Sequence, residues 1–296
     1  MLALKGQNQL LDAYQMSARQ SNFELLRNIS MFMILMLHAN FVALGFPSRD
    51  ELLLSPPNVI TRYSIEALSI SSVNAFVFIS GWFGIHPSVK SVFKFIYQIL
   101  FFLGFLYLFF LIIGKTKLSF SSIIDIFQLS SKDWFVKSYF VLMILAPLLN
   151  LFTRYLDHGT QIIVLLSFFL FEIIYGWMGG GARFFLSGFG PLHMIGIYIL
   201  AQYIKITLSQ EKTTYSSWID RVIALNSCFD LLLFFFFTIC TTALGCFTLY
   251  IFGEPLTNYT LAYNSPFVIA GGGIFVFVLF KITYLKYKNY KLARCK

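Results

Sequence analysis

The chain has 296 residues, 58% hydrophobic and only 12% charged, with 36 phenylalanines and a formal net charge of +9. Soluble domains carry about 25% charged residues, so a soluble globular class is excluded and a polytopic membrane protein is expected. The basic residues are dispersed over the chain and are not interleaved with base-stacking aromatics, which excludes a nucleic-acid partner as the reason for the charge.

Apolar runs near the 20 residues needed to cross about 30 Å of hydrocarbon predict eight helical spans. They cover about 28–46, 64–85, 93–113, 134–152, 161–178, 186–206, 229–251 and 265–285. In lipid the backbone must satisfy its own hydrogen bonds, so the fold class is an all-α transmembrane bundle. The first run carries His38 and Asn40 and has no small-residue cleavage site, so it is expected to be a retained span and not a cleaved leader. With the N-terminus inside, cytoplasmic segments hold fifteen of the 22 Lys and Arg and outer loops seven, which predicts both termini in the cytoplasm. Residues 1–285 read as a single membrane domain and 286–296 as a basic cytoplasmic tail. Trp82, Trp134 and Trp177 fall near predicted span ends, where interfacial anchoring places them.

The first span, LLRNISMFMILMLHAN, carries Arg27 and His38 eleven residues apart. At about 100° per residue the two side chains return to within roughly 20° of one another, about 16 Å apart along the axis. They share one helix face, and a common hydrated stripe is expected there. Taken alone, Arg27 is an anchor at the headgroups, paired with Glu24 three residues before it. His38 is a base candidate, because desolvation favours neutral imidazole and neutral imidazole can accept a hydroxyl proton. A packing histidine bonded to a neighbouring span is the alternative.

The second span is rich in small polar residues, Ser64, Ser69, Ser71, Ser72, Asn74 and Ser80. These either let helices approach closely or line a hydrated cavity, and their density favours the cavity. Gly81, in FISGW, leaves room for a backbone or a ligand. Beyond it Lys90 and Lys94 stand one helical turn apart. They read as topology signals or as a seat for the phosphates of a nucleotide-like donor. His86 and His158 are expected in loops, and His193 beside Pro191 is a candidate second cavity residue. Glu172 reads as the one carboxylate well inside a span. GWMGGGARFFLSGFGP, with Arg183, is expected to be an outward loop; it lacks the Lys and Ser/Thr of a phosphate-binding loop. No GxSxG nucleophile elbow occurs. The four cysteines show no metal-ligand spacing, so no metal is assigned.

Several segments, in order, resemble the membrane acyltransferase-3 family, which includes bacterial polysaccharide O-acetyltransferases. Arg27 and His38 match its arginine, ten residues, histidine motif, and FVFISGWFGI its Ser-Gly turn. WFVKSYFVLMILAPLLN, GPLHMIGIYILAQYIK and YNSPFVIAGGGIFVFVLFK resemble later spans, so the likeness covers about residues 21–285. The resemblance implies transfer of an acyl group, usually acetyl, from acetyl-CoA to a carbohydrate hydroxyl of cell-envelope material, in the cytoplasmic membrane. His38 would be catalytic and Arg27 would support the donor. Lys90 and Lys94 occupy the neighbourhood of a family arginine motif and would be the donor contacts. The family has about ten spans, two more than are predicted here, so a C-terminally shortened, inactive copy stands as an alternative. A transporter or flippase using the intramembrane Arg, His and Glu is the alternative from another class.

Overall fold

The computed structural model describes residues 21–119, 134–178, 186–209 and 227–275. Among them every regular element is helical. In chain order these are α1 (Ser21–Leu37), α2 (Arg49–Leu54), α3 (Pro56–Phe83), α4 (Val89–Ile112), α5 (Trp134–Tyr155), α6 (His158–Phe171), α7 (Pro191–Ser209), α8 (Ser227–Phe252) and α9 (Thr257–Thr260). A short apolar helix, α10, covers Pro266–Phe275. The helix of α1 widens into a π turn over His38–Val42, and that of α6 over Glu172–Met178.

Among the described residues six helical segments are long and apolar enough to cross a membrane: Phe23–Val42, Pro56–Phe83, Val89–Ile112, Trp134–Tyr155, His158–Met178 and Cys228–Phe252. Each overlaps one of the eight predicted runs. The run at 186–206 corresponds to α7, whose helix starts only at Pro191. Residues 186–188 form instead a 3-10 turn, with Ser187 at φ 56°. Proline at the first helical position forgoes an N–H that would have no partner there, which explains the later start. The last run begins as α10, and its remainder lies outside the described residues.

The contacts group the chain into two compact units. One gathers the described residues of Met1–Ile79, Trp218–Leu256 and Phe267–Lys296; the other gathers those of Ser80–Ser217 and Thr257–Pro266. In the first, the small polar stripe of α3 divides: Ser64 lines a largely apolar cavity of about 660 Å³ between α3 and α8, and the residues from Ser69 to Asn74 pack. Ser69, Ser71, Ser72 and Asn74 are all buried. Gly271 and Gly272 of α10 lie so close that a Cβ on either would stand 3.5–3.7 Å from Ser71 or Asn74. From Ser69 to Asn74 the small residues therefore serve close helix approach and not a cavity. Tyr63 of α3 is fully buried, and Gly245 of α8 leaves the space its ring occupies.

In the second unit α5, α6 and α7 pack together. Asp157 caps α6, its carboxylate accepting from the Thr160 backbone N–H at 2.9 Å and hydroxyl at 2.7 Å. Those bonds hold its carboxyl below the ordinary aspartate range. Trp134 packs edge-on against Phe189, and Trp177 donates from Nε1 to the Tyr259 carbonyl at 2.6 Å. By contrast α4 has no buried residue and beyond Gln98 is apolar all round, as suits a helix facing lipid.

A Cβ at Gly245 would stand 2.5 Å from the Tyr63 ring, and one at Gly81 2.6 Å from the Tyr198 carbonyl oxygen. Gly245→Ala and Gly81→Ala are each expected to cost about 1–3 kcal/mol through overpacking, measured by thermal unfolding in detergent. Gly104→Ala, which meets nothing within 4 Å, is the control and should be neutral or stabilising. Unshifted melting of the first two variants would contradict this packing.

Candidate functional site

Arg27 and His38 lie on one continuous helix, as the spacing predicts, but neither is enclosed. Arg27 is half-exposed and pairs with Glu24 at 3.2 Å. His38 is exposed, so the expected hydrated stripe inside the bundle is not observed at its ring. Its orientation is nevertheless defined. Nδ1 lies 2.8 Å from the carbonyl oxygen of Ile34, and a carbonyl can only accept, so Nδ1 carries the proton. Nε2 is then the one ring nitrogen that can accept.

The π turn that opens at His38 is held from α3. Asn40, buried inside it, donates from Nδ2 to the Arg62 carbonyl at 2.8 Å and to Glu66 Oε2 at 2.9 Å. Its Oδ1 accepts from Arg62 Nε at 3.4 Å. The Arg62 guanidinium also donates to the Gly45 carbonyl, stands 3.8 Å from Glu51 and lies 5.7 Å over the Phe41 ring. Glu66 is 7% exposed. This corrects the expectation that Glu172 is the one carboxylate well inside a span. Sequence reasoning missed Glu66 because it stands at the predicted edge of its span, where a charge costs little. The signal available was its place four residues after Arg62, one helical turn.

In the other unit Lys90 and Lys94 are exposed on the first turns of α4, which Ser88 caps through reciprocal bonds with Ser91. His86 is exposed, and His158 begins α6. Three segments that carry the family resemblance meet just before α4. The Tyr198 hydroxyl accepts from the Ile85 N–H at 2.8 Å and donates to Asn150 Oδ1 at 2.8 Å. Asn150 Nδ2 donates to the Ile85 carbonyl at 3.0 Å. Gln202 also donates to Asn150 and accepts from Thr153 at 2.5 Å. The Ser-Gly turn, the Pro-Asn helix and the GIYILAQ segment are thus parts of one polar cluster. Gly81 is needed there because the backbone of α7 passes against it.

His193 and Glu172, only loosely considered from sequence, form a buried pair. Nδ1 and Oε1 are 2.9 Å apart, with side chains 2% and 0% exposed. One proton lies between them. Glu172 is also the first residue of the second π segment, and its Oε2 has no hydrogen-bond partner among the described residues. Arg183 lies outside the described residues. Among the described residues no group of three or more His, Cys, Asp or Glu could hold a metal ion.

Removing one member of a buried pair strands the other, at about 3–5 kcal/mol. Glu172→Ala should therefore lower unfolding stability by that order. The double replacement Glu172→Leu with His193→Leu should recover most of it. Equal stability of Glu172→Ala and the unmodified chain would mean that the two groups do not support one another.

Comparison with family models, with curated proteins and with solved structures finds no match to this chain.

Proposed function

We propose that the protein is an integral membrane O-acyltransferase. It moves an acyl group, acetyl by preference, from acyl-CoA to a hydroxyl of a cell-surface or capsular polysaccharide or its lipid-linked precursor. The proposed location is the cytoplasmic membrane, with eight spans and both termini in the cytoplasm. The observation that carries the reading is His38: an exposed imidazole on an apolar helix long enough to span a membrane, its Nδ1–H tied to the Ile34 carbonyl, which leaves Nε2 as the nitrogen that can accept a proton. The convergence of three resembling segments on Asn150 and Tyr198 adds support, since residues matched in separate stretches serve one cluster.

In the proposed reaction Nε2 takes the proton of the acceptor hydroxyl as its oxygen attacks the thioester carbonyl. The tetrahedral intermediate collapses with cleavage of the carbon–sulfur bond. The leaving CoA thiolate takes the proton from the imidazolium, giving ester and free thiol. Arg27, partly exposed beside Glu24, would place a cation for the donor. Lys90 and Lys94, exposed ammonium groups one turn apart, are the proposed contacts for its phosphates.

A second reading, a transporter or flippase, is favoured by the Glu172–His193 pair, because ionisable groups buried in a span often mark an ion or substrate route. It predicts proton movement into liposomes containing the full chain, lost in Glu172→Gln.

For the acyltransferase, purified full-length protein in detergent should release CoA from acetyl-CoA in the presence of envelope glycan. His38→Ala should lower that rate by about 10²–10⁴. Lys90→Ala with Lys94→Ala should raise the KM for the donor and leave kcat nearly unchanged. Full activity of His38→Ala would end the assignment.

A further inference from the structure

We infer that Asn40, Arg62 and Glu66 are positioning residues that set the direction of the His38 ring, an inference that rests on the proposed role of His38 for its functional meaning but not for its geometry. A π turn carries one residue more than the α-helical turn it replaces, and such turns are rare outside places where surrounding contacts hold them. Here the turn spans His38–Val42, and its two sides differ sharply. Asn40 and Phe41 are buried, whereas His38, Ala39 and Val42 are exposed.

The buried side is fastened at several points. The Asn40 carboxamide uses both Nδ2 hydrogens and its oxygen on α3, through the Arg62 carbonyl, Glu66 and Arg62 Nε. Only one orientation of that amide matches donors to acceptors, so the bonds define its position and not merely its presence. Phe41 is held edge-on by Phe46 at 5.3 Å and by Tyr63 at 5.2 Å, with Arg62 over its ring at 5.7 Å. Arg62 continues to the Gly45 carbonyl and faces Glu51, which itself accepts from the Ser48 N–H at 3.0 Å.

The exposed side carries the consequence. His38 is tethered behind at Ile34 and ahead, two residues along the backbone, at Asn40. Release of Asn40 would let the wide turn relax toward ordinary α-helical register. That would rotate every exposed residue of the turn, His38 included, about the helix axis. Glu66 touches no part of His38; it acts through the Asn40 amide, as an acceptor that neither water nor lipid can replace inside the unit.

The test uses the full chain in detergent and a readout that does not require transfer activity. Diethyl pyrocarbonate modifies unprotonated histidine, and peptide mass spectrometry gives the rate at His38 relative to exposed His86 in the same molecule. Asn40→Ala and Glu66→Leu should change that ratio by roughly two- to tenfold, the effect of one lost hydrogen bond on an equilibrium between ring orientations. Glu66→Gln keeps an oxygen for Asn40 and should restore the original ratio. An unchanged ratio in both Asn40→Ala and Glu66→Leu, or a Glu66→Gln value equal to that of Glu66→Leu, overturns the inference. Should Asn40→Ala fail to accumulate in the membrane, Glu66→Leu against Glu66→Gln decides alone. If the ratio moves while His38→Ala keeps full acyl transfer, the positioning network stands and the catalytic reading of His38 falls.

Discussion

A carboxamide enclosed among helices has no water to turn to, and Asn40 must find every partner on the protein. It finds them on the first turns of α3, where the Arg62 backbone, the Arg62 side chain and Glu66 offer two acceptors and one donor. An unpaired polar group in such a place costs about 1–3 kcal/mol, so the α1 end and the α3 start are obliged to meet in one register. Arg62 extends the obligation to Gly45 and Glu51. Ser48 and Glu51 close it by capping α2 reciprocally. The corner α1–α2–α3 is therefore a single hydrogen-bonded object, and the π turn bearing His38 is one of its parts.

The second unit follows the same rule with neutral groups. Where α3 ends, Gly84 adopts φ 75° and the chain turns toward α4. The freed Ile85 N–H and carbonyl are taken up by Tyr198 and Asn150. Asn150 lies one turn beyond Pro147, which removes a donor inside α5 without ending the helix. Gln161 donates to the Thr153 and Leu156 carbonyls near the C-terminal end of α5. Polar side chains thus collect at helix ends, where backbone groups lack partners, and the long middle of α4 is left to phenylalanine and leucine facing lipid.

The helical class and the six described segments long and apolar enough to cross a membrane were legible because apolar run length is a property of sequence alone. Gly81 was legible for the same kind of reason: a glycine inside a span asks what comes close, and the α7 backbone answers. Ser71 and Asn74 were misjudged because small polar residues serve packing and hydration equally well. Only the glycines of α10 opposite them decide, and those lie almost 200 residues away in the chain. The start of α7 was placed five residues early, since Phe189 is as apolar as any span residue while Ser187 and Gly188 carry the turn in their backbone angles. Asn40, Arg62 and Glu66 were out of reach of periodicity, which orders residues along one helix and is silent on which face of a neighbour receives them.

His38 and His193 show how environment, not residue type, divides chemical roles. His193 is enclosed, and an imidazole there without a charged or acceptor partner would be costly. Glu172 supplies that partner, so the proton between them is confined and the ring is committed to a neighbour. His38 meets the opposite condition. Its Nδ1–H is satisfied by a carbonyl of its own helix, which asks for no counter-charge and adds none. That bond fixes Nδ1 as a donor and leaves Nε2 with no hydrogen-bond partner among the described residues, at the surface of the unit. A base for a hydroxyl group requires a free lone pair, a fixed direction and access. His38 has the fixed direction, through its bond to Ile34, and lies at the surface of its unit, whereas His193 is enclosed.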